Sequence, residues 1–434
     1  MTGLARAGKT AFLTSVAANL LALGAGRPVL PNLARRLGGR PSIRLAPSGT
    51  AALPRFDHAR HLAALTADPP AWPERTSAAS LLVLDLTLSR QVFGLPFPSQ
   101  QIRLELLDYP GEWLLDLPLL NTPFAAWSDA VMRRLEAPAA AGMARDFLAF
   151  TAALPSGAGA DEALASTGHR LYRALLRRLR DEAGLALLQP GRFLMPAPGQ
   201  EPPWMAFFPS RGSGGLQRLL AGRYAEYVDA VQQDLAEPMF GNLDRVVVLV
   251  DLLTALHTGR EAFGDAGDAL AAAAGALRWR LSWLDTLLAL GRGRLPPRTV
   301  SRVAFAATKS DHVAERQRGN LAALLRSTAL AGGPAGDVET AYLPIAAVRC
   351  TEDFVLTLEG RPVSAVRGRR IGDERLGASY PGEVPDRAPD DAFWQHPFFQ
   401  LPEFEPLRPL DGGRGGVPEL GLDSLLEFLL EDVL

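Results

Sequence analysis

Apolar positions along the chain switch between helical and strand spacing, and the switches mark out its elements. Residues 11–24 are almost wholly apolar and read as a buried helix. Residues 25–75 lose that regularity and gather Pro41, Pro69, Pro70 and Pro73, which predicts a long irregular connection. Alternation of period two follows, with Leu82, Leu84, Leu86 and Leu88 in 79–89 and Ile102, Leu104 and Leu106 in 101–108. It predicts a β-hairpin turning through Phe93-Gly94-Leu95-Pro96. From 112 to 243 the spacing is helical with irregular breaks. One helix there carries Leu164, Leu171, Leu175 and Leu179 on an apolar stripe beside a basic stripe of Arg170, Arg173, Arg177 and Arg180.

Two segments read as buried parallel strands, 245–251, apolar on both faces, and 302–307, and 340–348 reads as a third strand of the same sheet. Helical stretches at 268–290 and 314–330 separate them. A hairpin (354–358 with 363–366), a Pro-rich tail and a helix over 424–433, capped by Asp423, complete the pattern. The chain is therefore α/β, with a mostly parallel sheet flanked by helices. Its expected division is a discontinuous core of 1–111 plus 244–350, a helical insertion of 112–243, and a C-terminal part of 351–434 packing on the core.

Chemistry enters at the start of the chain. Gly3-Leu4-Ala5-Arg6-Ala7-Gly8-Lys9-Thr10 reads G-x-x-x-x-G-K-T, a loop whose backbone N–H groups cradle phosphate. Lys9 would reach the outer phosphates and Thr10 would ligate Mg²⁺. Only Met1 and Thr2 precede Gly3, so the strand that ordinarily aims such a loop is expected to be missing, and the start reads as internal to a longer frame. Lysine usage sharpens the assignment. Lys and Arg total 45, yet only Lys9 and Lys309 are lysines. A compact ammonium beside phosphate cannot be exchanged for a planar guanidinium, whereas a surface cation can.

Lys309 lies in Thr308-Lys309-Ser310-Asp311, a T-K-x-D string similar to the guanine-reading N-K-x-D element of GTPases. The Asp311 carboxylate can accept both donors of the guanine edge, an interaction worth ~1.5–3 kcal/mol. Asp108-Tyr109-Pro110-Gly111 is a D-x-x-G string at the end of the second hairpin strand. There Asp108 would hold Mg²⁺ and the Gly111 N–H would meet the γ-phosphate. Thr76 is the candidate for completing the Mg²⁺ shell, with Thr87 and Thr66 as alternatives, and Glu112 for orienting the attacking water. Ala347 and Val348, at the end of the third strand where G proteins place their S-A-x loop, are expected to offer a backbone N–H to the base. Arg75 or Arg6 would serve as an internal arginine finger, set against a plain reading as solvent-facing charges.

Bulk numbers exclude several classes. The 434 residues carry a net charge of −2, which gives no global case for nucleic-acid binding. The flank before Asp57 holds no acid but eight cations, a charge suited to phosphate or an anionic membrane surface, or else a solvated face. One cysteine, Cys350, predicts no intrachain disulfide and no Cys-based zinc site, and the six histidines show no H-x-x-x-H spacing suited to a metal. No run of 18 uncharged apolar residues and no signal peptide occur, which predicts a soluble cytoplasmic protein, at most peripheral at the inner membrane.

The strings 3–15, 107–120, 244–251 and 305–313, with Trp72-Pro73-Glu74-Arg75-Thr76 and the 426–432 ending, resemble the YcjX-like P-loop proteins of bacteria. The resemblance spans nearly the whole chain. It implies a Ras-like GTP-binding core with a large helical insertion, GTP hydrolysis, and a link to stress responses. It also implies association with an inner-membrane partner. Cofactors would be GTP/GDP and Mg²⁺. Two rival readings stand beside this one: a P-loop ATPase or kinase, which leaves Lys309 and Asp311 without a task, and a non-hydrolysing scaffold that binds a membrane partner.

Overall fold

A computed structural model describes residues 2–4, 7–38, 40–47, 53–74, 79–92, 95–108, 110–155, 157–195, 201–233, 243–280, 300–331, 338–373, 375–395 and 399–434. The chain opens with β1 (Thr2–Gly3), α1 (Lys9–Gly24), α2 (Pro31–Leu37), β2 (Ser42–Leu45) and α3 (His58–Thr66). The hairpin β3 (Ser80–Val92) and β4 (Leu95–Asp108) leads to a 3-10 segment, Gly111–Asn121. Helices α4 (Phe124–Glu136), α5 (Pro138–Ala152), α6 (Glu162–Asp181), α7 (Gly191–Leu194) and α8 (Gly215–Val231) follow. Then come β5 (Arg245–Val250), α9 (Leu252–Thr258), α10 (Arg260–Arg280), β6 (Arg302–Ala307), α11 (Glu315–Leu330) and β7 (Glu339–Pro344). Last are β8 (Thr351–Leu358), β9 (Arg361–Arg369), β10 (Leu376–Ser379) and α12 (Leu422–Leu430).

The central sheet is parallel, in the order β1-β5-β6-β7. Its register aligns Thr2, Val248, Phe305 and Tyr342 in one row across the strands. Side-chain alternation splits the core into two layers, as a sheet covered on both faces requires. Val247, Leu249, Ala304 and Ala306 pack against α1, α2, α12 and the inward leucines of β3. Val246, Val248, Val250, Val303, Phe305 and Ala307 pack against α9, α10 and α11. A third cluster, rich in aromatics, is built from the helices between residues 113 and 231, with Trp127, Tyr172, Phe193, Phe207 and Tyr227 fully enclosed.

The strand expected to be missing before the G-x-x-x-x-G-K-T loop is present in short form: among the described residues, Thr2 and Gly3 pair parallel with Val248 and Leu249. The described residues between 25 and 74 also form more regular structure than their composition suggests. Helix α2 buries only Leu33 and Leu37, and β2 is four residues long, so neither shows a readable period. β2 extends the hairpin into the antiparallel sheet β2-β3-β4.

The expected cap on the last helix is a second correction. Gly421 is the N-cap of α12, and the Glu419 carboxylate accepts from Leu422 N. Asp423 instead reaches across to α2, accepting from Asn32 N at 2.8 Å and Leu33 N at 3.0 Å. Helix α2 starts on Leu30 and Pro31, which offer no side-chain acceptor, so its first-turn donors are met from outside. On the flank of α1, the buried Asn19 amide donates to Val417 O and accepts from Val417 N, both at 3.1 Å. No described helix is long and apolar enough to cross a membrane.

Candidate functional site

Because β1, β5, β6 and β7 run parallel, the residues that leave their C-terminal ends share one edge of the sheet: Gly3, Asp251, Thr308 and Ile345. Open α/β sheets bind ligands at that edge. Gly3 sits so close to β5 that a Cβ there would lie 2.7 Å from the Leu249 Cβ. The loop turns through Ala7, whose N–H donates to Leu4 O, and reaches Gly8 with φ +79° at the N-cap of α1. A left-handed residue there aims successive N–H groups into a concavity. The first turn of α1 has no side-chain cap and no acidic residue, which suits it to an anion. Lys9 folds back over the loop and donates from Nζ to Gly3 O at 3.2 Å, while Thr10 is buried in the first turn. Arg6 lies outside the described residues.

The end of β4 meets this loop. Asp108 is buried, opposite Ser80 in the hairpin register. Gly111 lies directly on the loop: a Cβ on it would overlap the Gly3 carbonyl oxygen and stand 3.0 Å from Lys9 Nζ. Glu112 is the second residue of the 3-10 segment, and its carbonyl is pressed by Gly191, where a Cβ would lie 3.2 Å from Trp113 N. Asp116, fully buried, accepts from Gly191 N at 2.7 Å, Arg192 N at 3.2 Å and the Tyr227 hydroxyl. Burial pushes its carboxyl up to about 6, against the pull of those three donors and of the Arg192 charge. Trp113, Leu117 and Leu119 pack into the aromatic helical cluster. The segment after Gly111 is thus tied to the Gly3–Lys9 contact at one end and to the helices of 124–231 at the other.

At the end of β6, Thr308 Oγ1 donates to Val250 O at 3.3 Å. Lys309 has φ +58°, a strained conformation for a residue with a Cβ. Its ammonium lies 2.6 Å from Asp251 Oδ2 and 3.0 Å from Thr254 Oγ1. Asp251 also caps α9 through Thr254 N. Asp311 is 1% exposed, and its Oδ2 accepts from Cys350 N at 2.6 Å, Cys350 Sγ at 3.1 Å and Thr351 N at 3.3 Å. The Thr351 hydroxyl donates to the Asp311 carbonyl. Burial, then the Asp311 charge, pushes the Cys350 thiol well up, and burial pushes the neighbouring His312 down.

Ala347 packs against the core layer that holds α1 and α12. The preceding Ala346 pairs both backbone groups with Leu420, and Val348 is buried with Ala18, Leu65 and Val417. Cys350 and Thr351 are the residues brought against Asp311. Sequence reasoning gave neither them nor Asp251 a role. The available signals were the sole cysteine and an aspartate that ends a buried strand three residues before a threonine. Thr76 and Arg75 fall outside the described residues. Of the alternatives, the Thr66 hydroxyl donates within its own helix to Leu62 O, and Thr87 sits mid-strand opposite Ser42 and Gln101.

The sequence model of the YcjX-like family, DUF463, matches residues 1–434. A protein of Escherichia coli named "Ras-like GTPase YcjX" is 32% identical over 459 residues, covering 100% of this chain and 95% of its own length. A protein of the same name from Shewanella oneidensis is 32% identical over 468 residues, covering 100% of this chain and 94% of its own.

Proposed function

The chain belongs to the YcjX-like family, and from that premise we propose that it binds GTP with Mg²⁺, hydrolyses it slowly, and relays the nucleotide state to its helical insertion. The observation that carries this is the meeting of Gly3, Lys9 and Gly111 at one point. Two motifs more than a hundred residues apart are laid together where a γ-phosphate would be held.

The N–H groups of residues 8–10 would hold the phosphates, with Lys9 on the outer oxygens. The first turn of α1 has neither a side-chain cap nor an acidic residue, so the cradle fits the group it is read to hold. Thr10 and Asp108 supply the hard oxygen donors that Mg²⁺ prefers, and Thr76 is the third candidate. When bound, that ion offsets charge on the phosphate oxygens. Glu112 is read as the residue that orients water. A carboxylate beside phosphate is repelled, so turnover is slow.

Asp311 reads the guanine edge through Oδ1, since Oδ2 is engaged by Cys350 and Thr351. Lys309, held by Asp251, lies along the base and sugar. A place in stress response, and a peripheral station beside an inner-membrane partner, rest on the family resemblance alone.

The test compares binding of fluorescent GDP and ADP analogues to the wild type and Asp311→Asn. Guanine affinity should fall by at least about tenfold, as loss of one charge-assisted bond predicts, with adenine binding unmoved. Equal effects on both nucleotides would sink the guanine assignment.

A further inference from the structure

Behind the strand ends of β6 and β7, three side chains of different donor chemistry meet away from solvent. Cys350 Sγ lies 3.1 Å from Asp311 Oδ2 and 3.3 Å from His312 Nε2. One ligating atom from each residue lies within 4.8 Å of the others. Asp311, His312 and Cys350 are 1%, 8% and 1% exposed. The first two follow β6 and the third follows β7, so hydrogen-bonded neighbouring strands set their separation. The carboxylate bonds the thiol rather than the imidazole, which is not the arrangement that activates a nucleophilic cysteine.

We propose that Asp311, His312 and Cys350 form a site for one thiophilic divalent cation of the Zn²⁺ class. Sulfur and imidazole donors favour such an ion over Mg²⁺. Tetrahedral zinc, with sulfur at about 2.3 Å and nitrogen or oxygen at about 2.0 Å, has ligand–ligand edges of about 3.5 Å. The two observed sulfur distances need widen only by a few tenths of an ångström. Thiolate and carboxylate together carry two negative charges, so a divalent ion makes the buried cluster neutral. On binding, the S–H bond breaks, the metal–sulfur bond forms, and the proton passes to solvent. No redox change occurs, and water supplies the fourth ligand. The site shares Asp311 with the guanine reading, taking Oδ2 where that reading takes Oδ1, and its test contains no nucleotide.

The experiment titrates the chelator-treated full chain with Co²⁺. Cys350 is the sole cysteine, so a near-ultraviolet thiolate-to-cobalt charge-transfer band can arise nowhere else. We expect that band at one equivalent and its loss on adding Zn²⁺. Cys350→Ser, which keeps a hydroxyl donor for Asp311, should abolish it, and His312→Gln should weaken cobalt binding at least tenfold. Circular dichroism of the metal-free variants controls for folding. No band in the folded wild type, or equal cobalt affinity in His312→Gln, overturns the site, and the wild-type measurement decides even if a variant misfolds.

Discussion

Gly111 rests on Gly3 with no space for a side chain between them, and Lys9 closes the third side of the contact. Gly111→Ala must therefore push the D-x-x-G turn off the phosphate loop by about an ångström, a misplacement that costs on the order of 100-fold in rate. Single-turnover GTP hydrolysis reads this directly. A rate within twofold of wild type, with the fold intact, would separate the turn from the chemistry.

Asp251 serves two partners, the Lys309 ammonium and the first turn of α9. Asp251→Asn keeps an acceptor for Thr254 N but removes the charge. Since Lys309 is partly exposed, the pair contributes at most about 1 kcal/mol to stability. The larger expected effect is on nucleotide binding: GDP affinity falls about tenfold as Lys309 loses its alignment. Unchanged affinity with a lower melting temperature would reduce Asp251 to a helix cap.

Asp116 makes stability depend on pH in an unusual direction. Its carboxyl titrates near 3.8 when exposed and is raised to about 6 in the fold. The folded chain thus binds the proton more tightly. Acidification from pH 6 to 4 relieves a cost that stands in full above pH 6, of about 3 kcal/mol. Asp116→Asn is neutral throughout. Its melting temperature, compared with wild type, should rise as pH increases from 4 to 7. A constant gap across that range would mean the carboxyl is not perturbed.

Asp423→Ala strips two N–H groups of α2 of their acceptor. Loss of such a cap costs about 1–2 kcal/mol. Amide exchange of the 31–37 peptide should accelerate about tenfold, while Asp423→Asn, which retains an acceptor oxygen, stays near wild type. Exchange confined to residues 422–430 would return the cap to its own helix.

Features written in contiguous residues were legible before any coordinates. The strands at 245–250 and 302–307 announce themselves because both of their faces are buried, and the G-x-x-x-x-G-K-T loop is a single string. Residues 31–45 hid α2 and β2 because each is shorter than the period that would reveal it. Relationships across long separations left no local trace. Asp423 reads as a cap for its own helix, since nothing nearby in sequence points to Asn32. Cys350 packs on Asp311 because two parallel strands are neighbours, a fact that spacing alone does not carry. Asp251 looks like the end of a strand, and only the left-handed turn at Lys309 brings the ammonium to it.

The two hydrogen bonds between Asn19 and Val417 join positions 398 residues apart. At cellular translation rates of about 5–20 residues per second, the phosphate-loop helix leaves the ribosome roughly 20–80 s before its partner is made. For that interval the nascent helix has one uncovered flank, a target for holding chaperones until Val417 emerges.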